Sequence, residues 1–106
     1  MEENKKVNKL IQLVKNTEFS INYTTDNNCV LVNEKINNYL FEFVVYYEKN
    51  YYDVVNATYF QPKEFSVSFD PKKIEDFVIY DNKKNILELS NKQYDLIQYE
   101  IEKIIL

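Results

Sequence analysis

Glycine is absent from this chain of 106 residues. Glycine is the residue that adopts a positive backbone φ angle without steric cost, so tight turns must place asparagine or aspartate at such positions instead. The same absence removes the glycine-rich phosphate loop, the dinucleotide-binding fingerprint and the nucleophile elbow of the α/β hydrolases. The chain is therefore not a nucleotide-binding protein or hydrolase of these kinds.

Histidine is also absent, and Cys29 is the single cysteine. Ser-His-Asp catalysis, Cys-His catalysis and histidine-based metal sites are excluded. Cys29 lies in an apolar stretch, so we expect a buried, unreactive thiol. Four acidic residues lack the spacing of a calcium loop and are expected to be solvated turn residues: Asp70, Glu75, Asp76 and Asp81. We predict no metal and no cofactor.

The 17 acidic residues outnumber the 13 basic residues, which gives a net charge of −4. An acidic chain is poorly suited to direct nucleic-acid binding, and a protein partner with a basic surface is favoured instead. No apolar stretch is long enough for a membrane span, and no apolar leader follows Met1, so we expect a cytoplasmic protein without membrane contact. Residue types with AT-rich codons (Phe, Tyr, Met, Ile, Asn, Lys) fill 55 positions, which indicates an AT-rich bacterium or phage.

Helical periodicity is confined to the two ends of the chain. Apolar residues recur at helical spacing between Asn4 and Asn16, which predicts an amphipathic N-terminal helix. Ser90 and Gln93 have the spacing of a capping box, and they precede an apolar stripe that consists of Tyr94, Ile97, Ile101, Ile104 and Ile105. A second helix is therefore predicted from Ser90 to the C-terminus.

Between the helices, the apolar period is two. Seven segments have this strand-like pattern: 19–23, 29–32, 39–48, 51–60, 64–70, 77–80 and 86–89. We predict a tight turn at Lys49-Asn50, because asparagine tolerates positive φ. We also predict a type I turn at Asp70-Pro71-Lys72-Lys73, with a short helical turn capped by Asp70 as the alternative. The predicted fold is a single α+β domain over residues 1–106, with an antiparallel meander of about seven strands between two helices.

A two-residue turn at Lys49-Asn50 would pair Tyr47 with Tyr52 and place Phe43 on the core side. The opposite, outer side would then alternate acidic and aromatic residues: Glu42, Tyr46, Glu48, Tyr51 and Asp53. Besides a register slip of one residue, which would invert both faces, two interpretations of this outer face are open. Either a helix covers it, or it is exposed and binds a protein, since tyrosine is enriched at interface hot spots and carboxylates attract a basic partner.

The resulting functional hypothesis is a non-enzymatic protein-binding domain that acts by stoichiometric binding, as inhibitors, immunity proteins and anti-defence proteins do. The alternative is a structural or assembly subunit, such as a phage virion component. A third class is an enzyme that uses only carboxylates, tyrosine and lysine, with Glu42 and Asp53 as paired carboxylates and Tyr46 as a proton donor. The oligomeric state is left open.

Overall fold

The computed structural model describes residues 2–55 and 64–106. Helix α1 spans Glu2–Lys15 and helix α2 spans Asn91–Ile105, and three strands lie between them. Their bounds are Cys29–Ile36 for β1, Tyr39–Val55 for β2 and Glu64–Tyr80 for β3. The α+β class and the antiparallel sheet are confirmed. The seven-strand meander is wrong: the described residues form one three-stranded sheet in the order β1-β2-β3.

Both helices form where the periodicity predicts them. Ser90 is the N-cap of α2, where its side chain accepts a hydrogen bond from the Gln93 backbone N–H, and the Gln93 side chain accepts one from the Ser90 N–H. This reciprocal pair satisfies two donors that a helix start otherwise leaves unpaired. Of the predicted stripe, Ile97 and Ile101 are fully buried, whereas Ile104 is exposed.

The chain turns between β1 and β2 at Asn37-Asn38, and Asn37 has a φ of 54°. An asparagine thus takes the positive φ that glycine would supply in other chains. The prediction of a tight turn at Lys49-Asn50 is wrong, because β2 continues through both residues and pairs them with Phe69 and Ser68 of β3. An asparagine does supply the positive φ of a tight turn in this protein, but the turn lies at Asn37-Asn38 and not at Lys49-Asn50.

Strand β3 also continues where a turn was predicted, at Asp70-Pro71-Lys72-Lys73. The pairing of β2 with β3 shifts between Tyr46 and Tyr47, so Lys72 is an extra residue on β3. Proline is compatible with a strand at such a bulge, particularly in an edge strand. A second bulge lies opposite Phe43, where Asp76 has a φ of 55°. The local turn signals therefore mark bulges in one long strand.

Two further predicted strands are absent. Residues 19–24 are assigned to no strand, although Phe19, Ile21 and Tyr23 pack against the core with the predicted alternation. In the segment 86–89, one isolated bridge joins Ile86 to Tyr80. The predicted strand 51–60 is described as far as residue 55, and its remainder lies outside the described residues.

The core lies between the helices and one face of the sheet. Phe41, Phe43 and Val45 of β2 are fully buried. They belong to one cluster with residues of α1 and α2, which include Val7, Leu10, Val14, Ile97 and Ile101. The prediction that the odd-numbered side of β2 faces the core is confirmed at these positions.

Candidate protein-binding surface

The sheet has two faces with different environments. The face that carries the buried odd-numbered residues of β2 packs against both helices and against residues 19–23, and we call it the covered face. The opposite face has no residue in the buried core, and we call it the open face. Its members, in register across the three strands, are Cys29, Leu31, Asn33, Lys35, Leu40, Glu42, Val44, Tyr46, Glu48, Asp70, Lys73, Glu75, Val78 and Tyr80.

The open face carries exposed apolar and aromatic surface. Leu31 is 56% exposed and lies opposite Val44, which is half-buried. Tyr46 is also half-buried, and the Lys73 ammonium lies 4.9 Å from the centre of its ring. A cation over the ring face holds the tyrosine against the sheet, so that ring and hydroxyl are presented at low conformational cost.

Several carboxylates at the end of the open face are paired with lysines. Lys72 Nζ lies 2.7 Å from Asp70 Oδ2 and 3.7 Å from Glu48 Oε2, and Lys73 Nζ lies 3.2 Å from Glu75 Oε1. The hydrogen bond that the Lys72 ammonium donates to Asp70, followed by the attraction of the Asp70 and Glu48 charges, raises the pKa of Lys72. The acidity of this end is therefore smaller than the residue count indicates.

Glu42 is different, because it makes no ion pair with any residue that the structure describes. Its neighbours in register are Asn33 on β1 and Val78 on β3, and neither is charged. The Glu42 side chain is half-buried between this amide and this aliphatic side chain. Glu42 is thus the strongest acidic feature at the centre of the open face.

The structure brings together three of the five predicted site residues. Glu42, Tyr46 and Glu48 alternate along the open face of β2. Tyr51 is 60% exposed, but its odd position places it on the covered side of the strand, beyond the helices. Asp53 is also at an odd position, and its side chain lies outside the described residues. The predicted register depended on a turn at Lys49-Asn50, and without that turn the set divides between two faces.

The hypothesis of an enzyme with Glu42 and Asp53 as paired carboxylates also depended on the turn at Lys49-Asn50, which would have brought the two residues close together. Glu42 and Asp53 are eleven residues apart on one extended strand, which separates them by about 36 Å. A shallow depression of about 250 Å³ lies at the other end of the sheet, next to Asp81. The Asp81 carboxylate already accepts the backbone N–H groups of Lys83 and Asn85, at 2.8 and 3.0 Å.

The prediction of a buried thiol at Cys29 is wrong, because its side chain is exposed. It lies on the open face, opposite Tyr46. Sequence reasoning also missed Leu31 and Lys73 as members of this face. Alternation within 29–32 places Leu31 on the same face as Cys29 and on the opposite face from the buried Val32. That signal is weak in a run of four apolar residues.

Searches against family models, curated proteins and solved structures gave no match for this chain. Among the described residues, no group of acidic and cysteine side chains is arranged to hold a metal ion. In the same part of the chain, neither helix has the length and apolar character that a membrane span requires. The open face is therefore the feature of this chain from which a function can be inferred.

Proposed function

We propose that this chain is a non-enzymatic binding protein that acts stoichiometrically on a protein with a basic surface, and that the open face of the sheet is its binding surface. The observation that carries the proposal is the one-sided packing of the sheet. Both helices cover the odd-numbered side of β2, and Glu42, Val44 and Tyr46 remain on the uncovered side. The hypothesis that a helix covers this outer face is therefore not supported for residues 40–48.

The composition of the open face is typical of an interface. A centre of Leu31, Val44 and Tyr46 is flanked by charged residues on β2 and β3. Protein interfaces commonly combine an apolar and aromatic centre with a polar rim, and tyrosine is enriched among their hot spots. The carboxylate of Glu42 lies beside this centre and makes no ion pair within the described part of the chain, which favours a lysine or arginine of the partner.

The first test compares two tyrosines that have the same local chemistry. Tyr46 lies under Lys73 on the open face, and Tyr99 lies under Lys103 on α2, with cation-to-ring distances of 4.9 and 4.7 Å. In affinity capture from an AT-rich bacterial or phage-infected host, Tyr46→Ala should lose a specific partner, with a cost of about 1–4 kcal/mol in binding. Tyr99→Ala should retain it. Equal retention by both variants would contradict the proposal.

The second test addresses the charge. Glu42→Lys should slow association with the captured partner, and the effect should shrink as salt is added, because screening weakens attraction between separated charges. Glu48→Lys should have a smaller effect, since Lys72 already lies 3.7 Å from that carboxylate. A faster association for Glu42→Lys would indicate an acidic partner and overturn the electrostatic part of the proposal.

The third test uses the native thiol. Cys29 is exposed beside Tyr46, so a bulky maleimide on it should block the open face without any substitution. The matched control is the double variant Cys29→Ser/Asn22→Cys, which moves the same label to an exposed position in the segment 19–23. Binding should be lost with the label at Cys29 and retained with the label at position 22.

A second candidate function, a structural or assembly subunit such as a virion component, is favoured by the shape of the molecule. Its extents are 68 × 23 × 21 Å, because β2 and β3 run 17 residues each and outreach the rest of the chain. Such an arm is suited to contacts between repeated neighbours. Capture of a particle or of its coat components, in place of one basic protein, would support this second function.

A further inference from the structure

A shallow depression of about 250 Å³ lies where the turn between β1 and β2 and the end of β3 come together. Lys35, Leu40 and Tyr80 form one row across the three strands at this end of the sheet. The tight turn at Asn37-Asn38 and a loop of residues 81–85 lie next to this row, and both contribute to the lining. Two separate segments of the chain therefore border a site at the end of the open face.

The surface of the depression is largely apolar. Tyr39 and Leu40 contribute to it and are both half-buried, and the lysines of the lining add the aliphatic carbons of their side chains. An apolar lining with a small number of polar groups is typical of small-molecule sites. The volume is below the roughly 300–1,000 Å³ of sites for drug-sized ligands, so a smaller molecule fits.

The charge of the depression is opposite in sign to that of the whole chain. Its lining contains two lysines, Lys35 and Lys84, and one acidic residue, Asp81, whereas the chain carries a net charge of −4. The Asp81 carboxylate accepts the backbone N–H groups of Lys83 and Asn85. The side chains of Lys35 and Lys84 make no ion pair or hydrogen bond with any residue that the structure describes. Two ammonium groups are therefore available to a ligand, and they favour an anion.

Lys84 occupies a backbone conformation that lysine rarely adopts. Its φ is 66°, and the other described residues with positive φ are Asn37 and Asp76, whose side chains tolerate this region better. The loop is held by hydrogen bonds from the Asp81 N–H to the Asn85 carbonyl, at 2.9 Å, and from the Lys84 N–H to the Asp81 carbonyl, at 3.0 Å. A residue kept in a costly conformation by a well-bonded loop is typical of a functional position.

We propose that this depression binds a small organic carboxylate with a compact apolar body. The carboxylate lies between the ammonium groups of Lys35 and Lys84, and the apolar body packs against Leu40 and Tyr39. The two lysines belong to β1 and to the loop after β3, so they can donate to the two carboxylate oxygens from different sides. The site is separate from the centre of the open face, and the proposal does not depend on the function proposed for that face.

Titration of the full chain with sodium benzoate, followed by amide NMR at constant ionic strength, tests the proposal. The backbone amides of Asn38, Leu40 and Asn82 should shift and reach saturation, with a Kd of about 10 mM or tighter, as expected for a ligand of this size. Two further probes separate the charge from the apolar body. Benzamide has the ring without the charge, acetate has the charge without the ring, and each should bind at least about fivefold more weakly than benzoate.

Neutral variants of the lysines identify the residues that hold the carboxylate. Lys35→Gln and Lys84→Gln should each weaken the binding of benzoate by about threefold or more, because each removes one charge next to the carboxylate. Lys83→Gln is the matched control, since Lys83 is an exposed lysine on the same loop but does not line the depression. It should change the Kd by less than about twofold.

All three substituted lysines are exposed, so the variants should keep the fold, and the amide signals of the core strands check this in the same spectra. Three results would overturn the proposal. They are the absence of saturable shifts up to about 50 mM benzoate, well above the expected Kd, equal binding of the three probes, and an equal loss of binding for Lys83→Gln and the two lining variants.

Discussion

Strand β2 passes through two environments within 17 residues. From Tyr39 to Tyr47 it is the central strand of the sheet, with β1 and β3 on either side and helices over one face. From Glu48 onward its strand partner is β3, and none of the residues described there belongs to the core cluster that contains the helices. Phe43 is fully buried in the first half, and Tyr51, on the same side of the strand, is 60% exposed in the second. The same alternation of residues thus leads to opposite burial.

The difference shows that the cover, and not the strand itself, decides which residues are buried. Beyond Tyr47, residues 48–55 of β2 and 64–70 of β3 form a two-stranded ribbon, and such a ribbon is marginally stable alone in water. Here an aromatic cluster supports its base, where the ring of Tyr23 lies 4.8 Å from that of Tyr47 and 5.4 Å from that of Phe69. The Tyr47 hydroxyl also donates to the Thr24 carbonyl at 2.8 Å and accepts the Thr24 N–H. The segment before β1 therefore joins the ribbon to the body.

The largest expected difference is between removing α2 and removing the ribbon. Truncation after Ser90 deletes Ile97 and Ile101, whose burial contributes roughly 1.5–3 kcal/mol each, out of a total stability of about 5–15 kcal/mol. The truncated chain should be insoluble or unfolded. Joining Glu48 to Asp70 with a two-residue turn in place of residues 49–69 should instead leave a cooperative fold, as measured by circular dichroism and thermal melting. A folded chain without α2 would show that this helix is peripheral.

The next effect compares two adjacent residues on opposite faces. Phe43→Ala leaves a cavity in the core and should lower the free energy of unfolding by roughly 3–5 kcal/mol. Val44→Ala removes a half-buried side chain from the open face and should cost about 1 kcal/mol or less. Urea denaturation of both variants gives the comparison. Similar losses for both would mean that the open face is covered.

A smaller effect on stability is expected at the β3 bulge opposite Phe43, which contains Asp76. Asp76 has a φ of 55°, a conformation that costs β-branched residues roughly 1–2 kcal/mol. Asp76→Val should therefore destabilise the protein by about that amount. Asp76→Gly should be nearly neutral, because easier positive φ is offset by a more flexible unfolded chain. Equal effects of valine and glycine in urea denaturation would contradict the bulge.

The smallest effect is the response to alkaline pH. Burial, followed by the neighbouring Tyr47, raises the pKa of Tyr23, and burial is also the main cause that raises the pKa of Tyr94. Both hydroxyls are therefore neutral in the folded protein at a pH where they ionise in the unfolded chain. The contribution of these two tyrosines to stability should be constant below about pH 10 and fall above it. Tyr94→Phe should reduce this fall in a series of thermal melts, and an unchanged profile would contradict the shift for Tyr94.

The sequence predicts those parts of this protein that depend on local chemistry. The α2 capping box, the two helices and the inward side of residues 41–47 follow from spacing alone. The C-terminal bound of β2 does not follow from spacing. Lys49-Asn50 and Asp70-Pro71 consist of residue types that favour turns, and yet they pair within long strands. Pairing over 17 residues and the bulges that accommodate Pro71 are tertiary features. Residues 19–23 show the converse, since their alternation reflects packing against Phe43 and Tyr47 without a strand partner.

The candidate site was divided for the same reason. Glu42, Tyr46 and Glu48 are within the part of β2 whose face was predicted correctly. Tyr51 and Asp53 follow the misplaced turn, and a turn of two residues reverses the face assigned to everything after it. An error in one turn therefore changed the face assigned to the residues after it and left the face assigned to residues 41–47 as predicted.

Strand β2 is one continuous strand with a covered and an open face. A nuclear Overhauser spectrum of the full chain distinguishes this arrangement from a hairpin at Lys49-Asn50. We expect Hα–Hα contacts between Lys49 and Phe69 and between Tyr51 and Val67. We also expect contacts from helix methyl groups to Phe43 and none to Val44. Contacts between Tyr47 and Tyr52, as a tight turn at Lys49-Asn50 would give, or helix contacts to Val44, would contradict it.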